Sequence, residues 1–466
     1  MTEHGLKGFV PTPDAVVDRM VAKLFAKSLP TSASRVLDPG CGTGPFIHGV
    51  IRFCRARGLE LPRIDGIELD PGRALAAARA FKDFKSVRVR NADFLGDCGG
   101  EYDFIVGNPP YVSITGLAAT ERLAFRGRFE SARGRFDLYV LFFEQALRLL
   151  ALKGRLVFIT PEKFVYVGSA MELRRLLLRR SLTELEFASE TTFDGLTTYP
   201  LITTIDGVPT AGRTRVVPRL GRTRIVALRS SESWLPVLSG GAPTDTTAPT
   251  LASVSVRISC GVATGSDSVF VLPEGEVTLE LSRFARRTVS GRQILPSGQM
   301  KPTSRMLVPY DVRGNLLSEV SLGALGEYLE RPELKRRLLA RTCVLGKPWY
   351  AFHDNFPAAE MLRPKILCKD ITQRPVFVID RCGDIVPRHS VYYIVPQHAE
   401  LLVDLHAYLS SPEAEQWLRA NCQRAANGYM RLQSTVMRRL PIPRELARRC
   451  EELSGVRSTA RAELAG

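Results

Sequence analysis

The tetrapeptide Asn108-Pro109-Pro110-Tyr111 joins three chemical capabilities in four residues. The Asn108 amide oxygen and the Pro109 carbonyl can both accept hydrogen bonds from one planar amino group, while Tyr111 offers a flat face for stacking. The prolines fix their own φ angles and hold Asn108 extended, so the acceptors sit on a rigid loop. A Pro-Pro turn can also be plain punctuation, and what the chain brings to the same place must decide.

Two more groups of residues can hold a ligand. Asp38 leads into Pro39-Gly40-Cys41-Gly42-Thr43-Gly44-Pro45-Phe46, whose glycines let the backbone turn sharply and come close to a bound molecule. Glu68 ends an apolar run 24 residues beyond Gly44, where a carboxylate can hold both hydroxyls of a ribose. Farther on, Asp93 can accept from an adenine amino group and Phe94 can pack on its ring. The implied ligand is an adenosine with its tail near Gly40. No Lys-Ser/Thr follows the glycines, which argues against a P-loop.

Each of these residues closes or follows a short apolar run, as strands at the carboxyl edge of an open α/β sheet require. The runs cover residues 35–38, 64–69, 87–91 and 102–107. Helices are predicted between them, and another at the amino end, with Thr12 as its cap and Pro13 as its first residue. A helix over 137–150, a strand over 155–160, a helix over 170–180 and strands over 182–188 and 201–206 continue the rhythm. The predicted fold is a doubly wound, mostly parallel α/β sheet of about seven strands. Residues 113–136 carry Arg122, Arg126, Arg128, Arg133 and Arg135 without clear periodicity, and read as a mobile loop able to contact phosphate.

Residues 239–250, rich in small and turn-forming types, read as a linker between a catalytic domain at 1–238 and a mixed α/β domain at 251–466. Beyond it, residues 261–268 form a Gly/Ser/Thr turn region, 364–368 and 376–380 read as paired strands, and 390–395 as a third. Helices are predicted over 401–409 and, capped by Ser411, from Pro412 to about Cys422. Trp349 and Tyr350 read best as core aromatics. Lys369, Asp370, Thr372, Gln373 and Arg374 form a polar cluster suited to reading base edges.

The 466 residues carry a formal charge of +16, with 34 basic against 26 acidic side chains up to residue 250 and 30 against 22 beyond. An excess shared by both halves favours a polyanionic partner gripped by both. The most apolar stretch, residues 138–159, is interrupted by Glu144, Gln145, Arg148 and Lys153, so no membrane span is expected. Nine cysteines without CxxC pairs point to reduced thiols and no structural metal.

In this order, Thr12-Pro13, Asp38 to Phe46, Glu68, Asp93-Phe94 and Asn108 to Tyr111 resemble the motifs of S-adenosylmethionine-dependent N6-adenine DNA methyltransferases. A Thr-Pro motif first and a recognition domain last are similar to the gamma group of restriction-modification systems, TaqI-type enzymes especially. The likeness continues through Asp137-Leu138-Tyr139 and Phe193. It implies a methyltransferase sheet that binds S-adenosyl-L-methionine through Thr12, Asp38, Gly40, Glu68, Asp93 and Phe94. It further implies catalysis by Asn108, Pro109, Tyr111 and Phe193 on an adenine flipped out of double-stranded DNA held between the domains. The expected protein is a cytoplasmic monomer, with any cleavage left to a separate restriction endonuclease. A glutamine methyltransferase acting on a translation factor shares Asn-Pro-Pro-Tyr, and RNA adenine methylation or a silent nucleic-acid-binding relative are further alternatives. The long basic second half favours DNA.

Overall fold

The structure, a computed structural model, describes residues 11–463 except 97, 194–198, 209–211, 220, 231–232, 239–246 and 426–427. The chain divides into two compact units, Met1–Leu238 and Ser239–Gly466. Most of the expected linker lies outside the described residues, as does the Asp194-Gly195 turn after Phe193.

The first unit is built on one sheet. Its strands are β1 (Arg35–Pro39), β2 (Arg63–Glu68), β3 (Val87–Asn91), β4 (Tyr102–Gly107), β5 (Leu150–Pro161), β6 (Ser181–Phe187), β7 (Pro200–Asp206), β8 (Arg213–Val217) and β9 (Arg224–Ala227). The order is β3-β2-β1-β4-β5-β7-β6-β8-β9. β1 to β5 pair in parallel, whereas β7 runs antiparallel to both β5 and β6. The sheet therefore has nine strands rather than seven. β8 and β9 form an antiparallel pair added outside β6, and their short alternating stretches of arginine and apolar residues resemble surface loop in sequence.

Side chains alternate across the strands and bury both faces. Val36, Phe104, Val106 and Val157 pack with helices α1 (Asp14–Leu24) and α2 (Pro45–Arg55). Leu37, Ile105, Leu156 and Phe158 face the other way, toward α5 (Leu138–Leu149) and α6 (Met171–Arg179). Helix α3 (Pro71–Ala80), capped by Asp70, joins β2 to β3. The chain reverses its direction of winding at β1, which lies between β2 and β4, and the carboxyl ends of these strands flank the crevice where such sheets bind ligands.

Residues 113–136 are not a simple loop. They contain helix α4 (Ala119–Arg128), whose start is fixed by Glu121 Oε2 accepting from the Ala118 N–H at 2.8 Å. None of its residues is buried, so it has no apolar stripe from which a helix could have been read.

In the second unit, strand Lys365–Lys369 pairs antiparallel with Phe377–Asp380 and with Val391–Pro396, close to the ranges read from sequence. Helices Leu402–Leu409 and Pro412–Asn421 follow, the latter capped by the Ser411 hydroxyl. The unit holds two four-stranded sheets and one of three strands among the described residues. Tyr350 is buried and donates to the Leu317 carbonyl at 2.8 Å. No helix among the described residues is long and apolar enough to cross a membrane.

Candidate active site

At the end of β1 the chain turns through Gly40, Gly42 and Gly44, all with positive φ. Gly44 is the residue no other type could replace. It has φ +92°, and a Cβ there would lie 2.4 Å from the Phe81 ring. The Gly40 and Cys41 N–H groups donate to the Ile67 carbonyl at 2.7 and 2.9 Å, tying the turn to β2.

Asp38 is buried, and neither of its carboxylate oxygens has a hydrogen-bond partner among the described residues. Burial, then the nearby Glu68 carboxylate, holds its pKa well above the ordinary aspartate range. A carboxylate in this state suits a cationic ligand group carrying several N–H donors. Gly107 makes room for it, since a Cβ there would lie 3.2 Å from Asp38 Oδ1. That role was missed in the sequence, where Gly107 reads only as the end of a strand. Burial, then the same two carboxyl groups, pushes the Cys41 thiol up, leaving it protonated.

Glu68, also buried, closes β2 as expected but is already engaged. It accepts from the Gly42 N–H at 2.8 Å, the Asp70 N–H at 2.8 Å and Arg73 Nη2 at 3.0 Å. It therefore holds the glycine turn and the start of α3 in place. Beyond β3, Asp93 Oδ1 accepts from the Leu95 N–H at 2.9 Å. Phe94 is buried against Phe142, with ring centroids 5.0 Å apart, leaving Asp93 the exposed member of the pair.

Past β4, Asn108 Nδ2 donates to Thr12 Oγ1 at 3.1 Å. Thr12 thus does something other than cap α1. The N-cap is Pro13, with no side-chain cap, and the buried Thr12 hydroxyl fixes which way the Asn108 amide faces. Tyr111 donates to the Ile159 carbonyl at 3.5 Å, and burial raises its pKa, so the ring stays neutral. Phe193 meets Tyr111 edge to face, with centroids 6.5 Å apart and planes at 84°. Two rings gripping a flat group on both faces must be parallel, so one ring has to turn when such a group enters.

The arginine-bearing excursion leaves and re-enters the fold directly behind Tyr111. Ile114 N–H donates to the Phe136 carbonyl at 3.0 Å and Leu138 N–H to the Val112 carbonyl at 2.8 Å. Buried Glu144 of α5 accepts from the Glu130 and Ser131 N–H groups at 2.9 and 2.8 Å, and from Ser131 Oγ at 2.6 Å. Arg128 donates to the Leu95 carbonyl at 2.7 Å and Arg126 to the Gly134 carbonyl at 3.4 Å, and Arg126, Arg128, Arg133 and Arg135 are all exposed.

Comparison with known proteins follows this geometry. Residues 67–193 match the Eco57I restriction-modification methylase family. The chain is 27% identical to the Type II methyltransferase M.PaeR7I of Pseudomonas aeruginosa, over 95% of this chain and 87% of that protein. It is also 27% identical to M.XhoI of Xanthomonas vasicola, over 76% and 70%. Among solved structures, the Type IIL restriction-modification enzyme MmeI in complex with DNA superposes with a TM-score of 0.63 at 14% identity, covering 96% of this chain and 68% of that one.

Proposed function

We propose, from the match of residues 67–193 to the Eco57I restriction-modification methylase family, that the chain methylates N6 of an adenine flipped out of duplex DNA at a specific site. What carries this reading is Asn108: its amide donates to Thr12 just past β4, next to Gly107, which lies against Asp38. When bound, S-adenosyl-L-methionine supplies an electrophilic methyl group. Buried Asp38 would hold its ammonium and Glu68 its ribose, with Gly40, Asp93 and Phe94 bordering the remainder. The fit rests on the buried carboxyl of Asp38, which has no hydrogen-bond partner among the described residues and suits a cationic group.

An adenine inside a duplex hides its amino group, so the base must leave the stack before reaction. Its N6 lone pair is delocalised and a weak nucleophile. The Asn108 amide oxygen and the Pro109 carbonyl accept from the two N–H bonds, drawing electron density toward nitrogen and aiming the lone pair. Tyr111 stacks on the base, and Phe193 closes on its other face after turning. No general base has to act beforehand, because the amino protons become acidic as nitrogen is alkylated. Orientation and the fixed acceptor dipoles supply the rate.

The second unit and exposed Arg126, Arg133 and Arg135 are assigned to the DNA, with phosphate contacts setting affinity and base edges setting the site. The enzyme acts as a monomer, and cleavage belongs to a separate endonuclease. Incubation with methyl-labelled S-adenosyl-L-methionine and a mixture of duplex DNA, RNA and protein tests this reading. Label in the DNA is expected; label confined to RNA or protein would reject it.

A further inference from the structure

Helix α4 has no buried residue, yet the protein fastens it at both ends. At its start Glu121 accepts from the Ala118 N–H. At its end Arg128 Nη2 donates to the Leu95 carbonyl at 2.7 Å, and the Arg128 carbonyl accepts from Arg148 Nη2 at 2.9 Å. The chain then enters the core at Phe129, and the buried Glu144 carboxylate accepts from the Glu130 and Ser131 N–H groups. A buried carboxylate is costly unless it is hydrogen-bonded, and this one is committed largely to the main chain of a surface excursion. The bonds fix where α4 stands, although α4 adds little to the core.

Arg122 and Phe125 are the half-buried members of α4, and Phe125 meets the Phe129 ring at a centroid distance of 6.1 Å. At about 3.6 residues per turn, Leu123 lies on the side opposite Phe125. It is 72% exposed, and exposed Arg126 stands beside it three residues on. A lone exposed leucine is ordinary. A fastened helix that turns one outward among arginines is a presented surface.

Placement and charge name the partner. The excursion leaves the fold directly behind Tyr111, and Arg128 ties the end of α4 to Leu95, whose N–H donates to Asp93 on the cofactor side. α4 therefore stands at the mouth of the crevice. Residues 113–136 hold five arginines and two glutamates, and both glutamates are engaged, Glu121 at the helix start and Glu130 with Arg179 at 3.3 Å. The outward charge is positive and complements a phosphate backbone.

We propose that the outward face of α4 is a docking surface for duplex DNA beside the target base pair, with Leu123 as its apolar contact and Arg126 reaching a phosphate. Leu123 excludes water next to that charged contact, and the Glu144 and Arg128 bonds hold the helix in place for it. This inference deepens the DNA-methylation reading given above and rests on it.

Leu123→Glu is the test, because glutamate suits an exposed helical position and sets a negative charge against the duplex. Four quantities are read on the full chain: affinity for a fluorescent mixed-sequence duplex, affinity for S-adenosyl-L-methionine, kcat and KM on sheared genomic DNA, and sedimentation velocity. Expected are duplex affinity weaker and KM higher by about tenfold or more, from like charges brought together, with cofactor affinity and kcat within about twofold of wild type. Ile225→Glu makes the same charge change at a 67% exposed position of β9 and should leave all four at wild-type values. Wild-type duplex affinity and KM in Leu123→Glu would overturn the proposal, as would an equal loss in Ile225→Glu, which would trace the effect to net charge alone. A wild-type dimer that Leu123→Glu dissociates would give this face to a second copy and likewise overturn it. A wild-type protein that neither binds nor methylates duplex DNA would overturn the DNA reading itself, and this inference with it.

Discussion

The two units handle their polar groups in opposite ways. In the first, Asp38, Glu68 and Asn108 are set by the ends of successive strands, and buried Asp38 has no protein partner among the described residues. In the second, three members of the polar cluster that reads as a base-contacting surface are engaged within the unit. Asp370 pairs with Arg431 at 3.0 Å, Arg374 with Glu415 at 2.9 Å, and the Thr372 hydroxyl with the Arg374 carbonyl. A fixed reaction needs a preformed geometry, which strand ends provide and sequence spacing encodes. A recognition surface needs only groups that can exchange partners for bases and phosphates, and spacing along the chain does not encode those.

The largest effect expected from breaking the first pattern is at Asn108. Asn108→Ala should lower kcat by about two to three orders of magnitude, as loss of one preorganised hydrogen-bonding group does elsewhere. Cofactor affinity should stay near wild type in calorimetry, since the residue is assigned to the base and not to the cofactor. Near-normal turnover would remove Asn108 from catalysis.

Asp38→Asn should weaken S-adenosyl-L-methionine about ten- to a hundredfold, the range for losing a charged hydrogen bond. The ligand-free protein should respond oppositely. Because the folded pKa of Asp38 is raised, the folded state keeps a proton that the unfolded state releases. This contribution is complete below the unfolded pKa and is lost as pH rises through the folded one. The variant escapes that loss, so its ligand-free Tm should exceed wild type at pH 7 to 8, the gap closing toward about pH 4. A constant gap across this range would mean that Asp38 does not titrate as described.

Glu68→Ala sharpens the comparison, because Glu68, unlike Asp38, already accepts several hydrogen bonds from the protein. It should lose cofactor affinity and also about 1–3 kcal/mol of stability, through the abandoned Gly42 and Asp70 N–H groups. Urea melts separate the two losses. Unchanged stability would make Glu68 purely a ligand residue.

A smaller, salt-dependent effect is expected outside the sheet edge. Replacing Arg126, Arg133 and Arg135 with alanine should reduce the slope of log affinity against log salt by about 3, with cofactor affinity untouched. An unchanged slope would confine DNA contacts to other surfaces.

Much of the first unit was legible because its signals are local. β3 and β4 occupy the ranges read from their apolar runs, and the helix after Asp137 starts and ends within a residue of its reading. The misreadings share a cause. Helix α4 has no buried face, β8 and β9 are short and arginine-rich, and Thr12 looks like a cap until Asn108, 96 residues away, occupies its hydroxyl.

The central claim concerns which atom is methylated. The most direct measurement is mass spectrometry of nucleosides from duplex DNA incubated with the protein and methyl-labelled S-adenosyl-L-methionine, with the Asn108→Ala protein beside it. All label is expected in N6-methyladenine, and to be nearly absent with the variant. Label in a methylated cytosine, or in N6-methyladenine at equal rates from both proteins, would contradict the account.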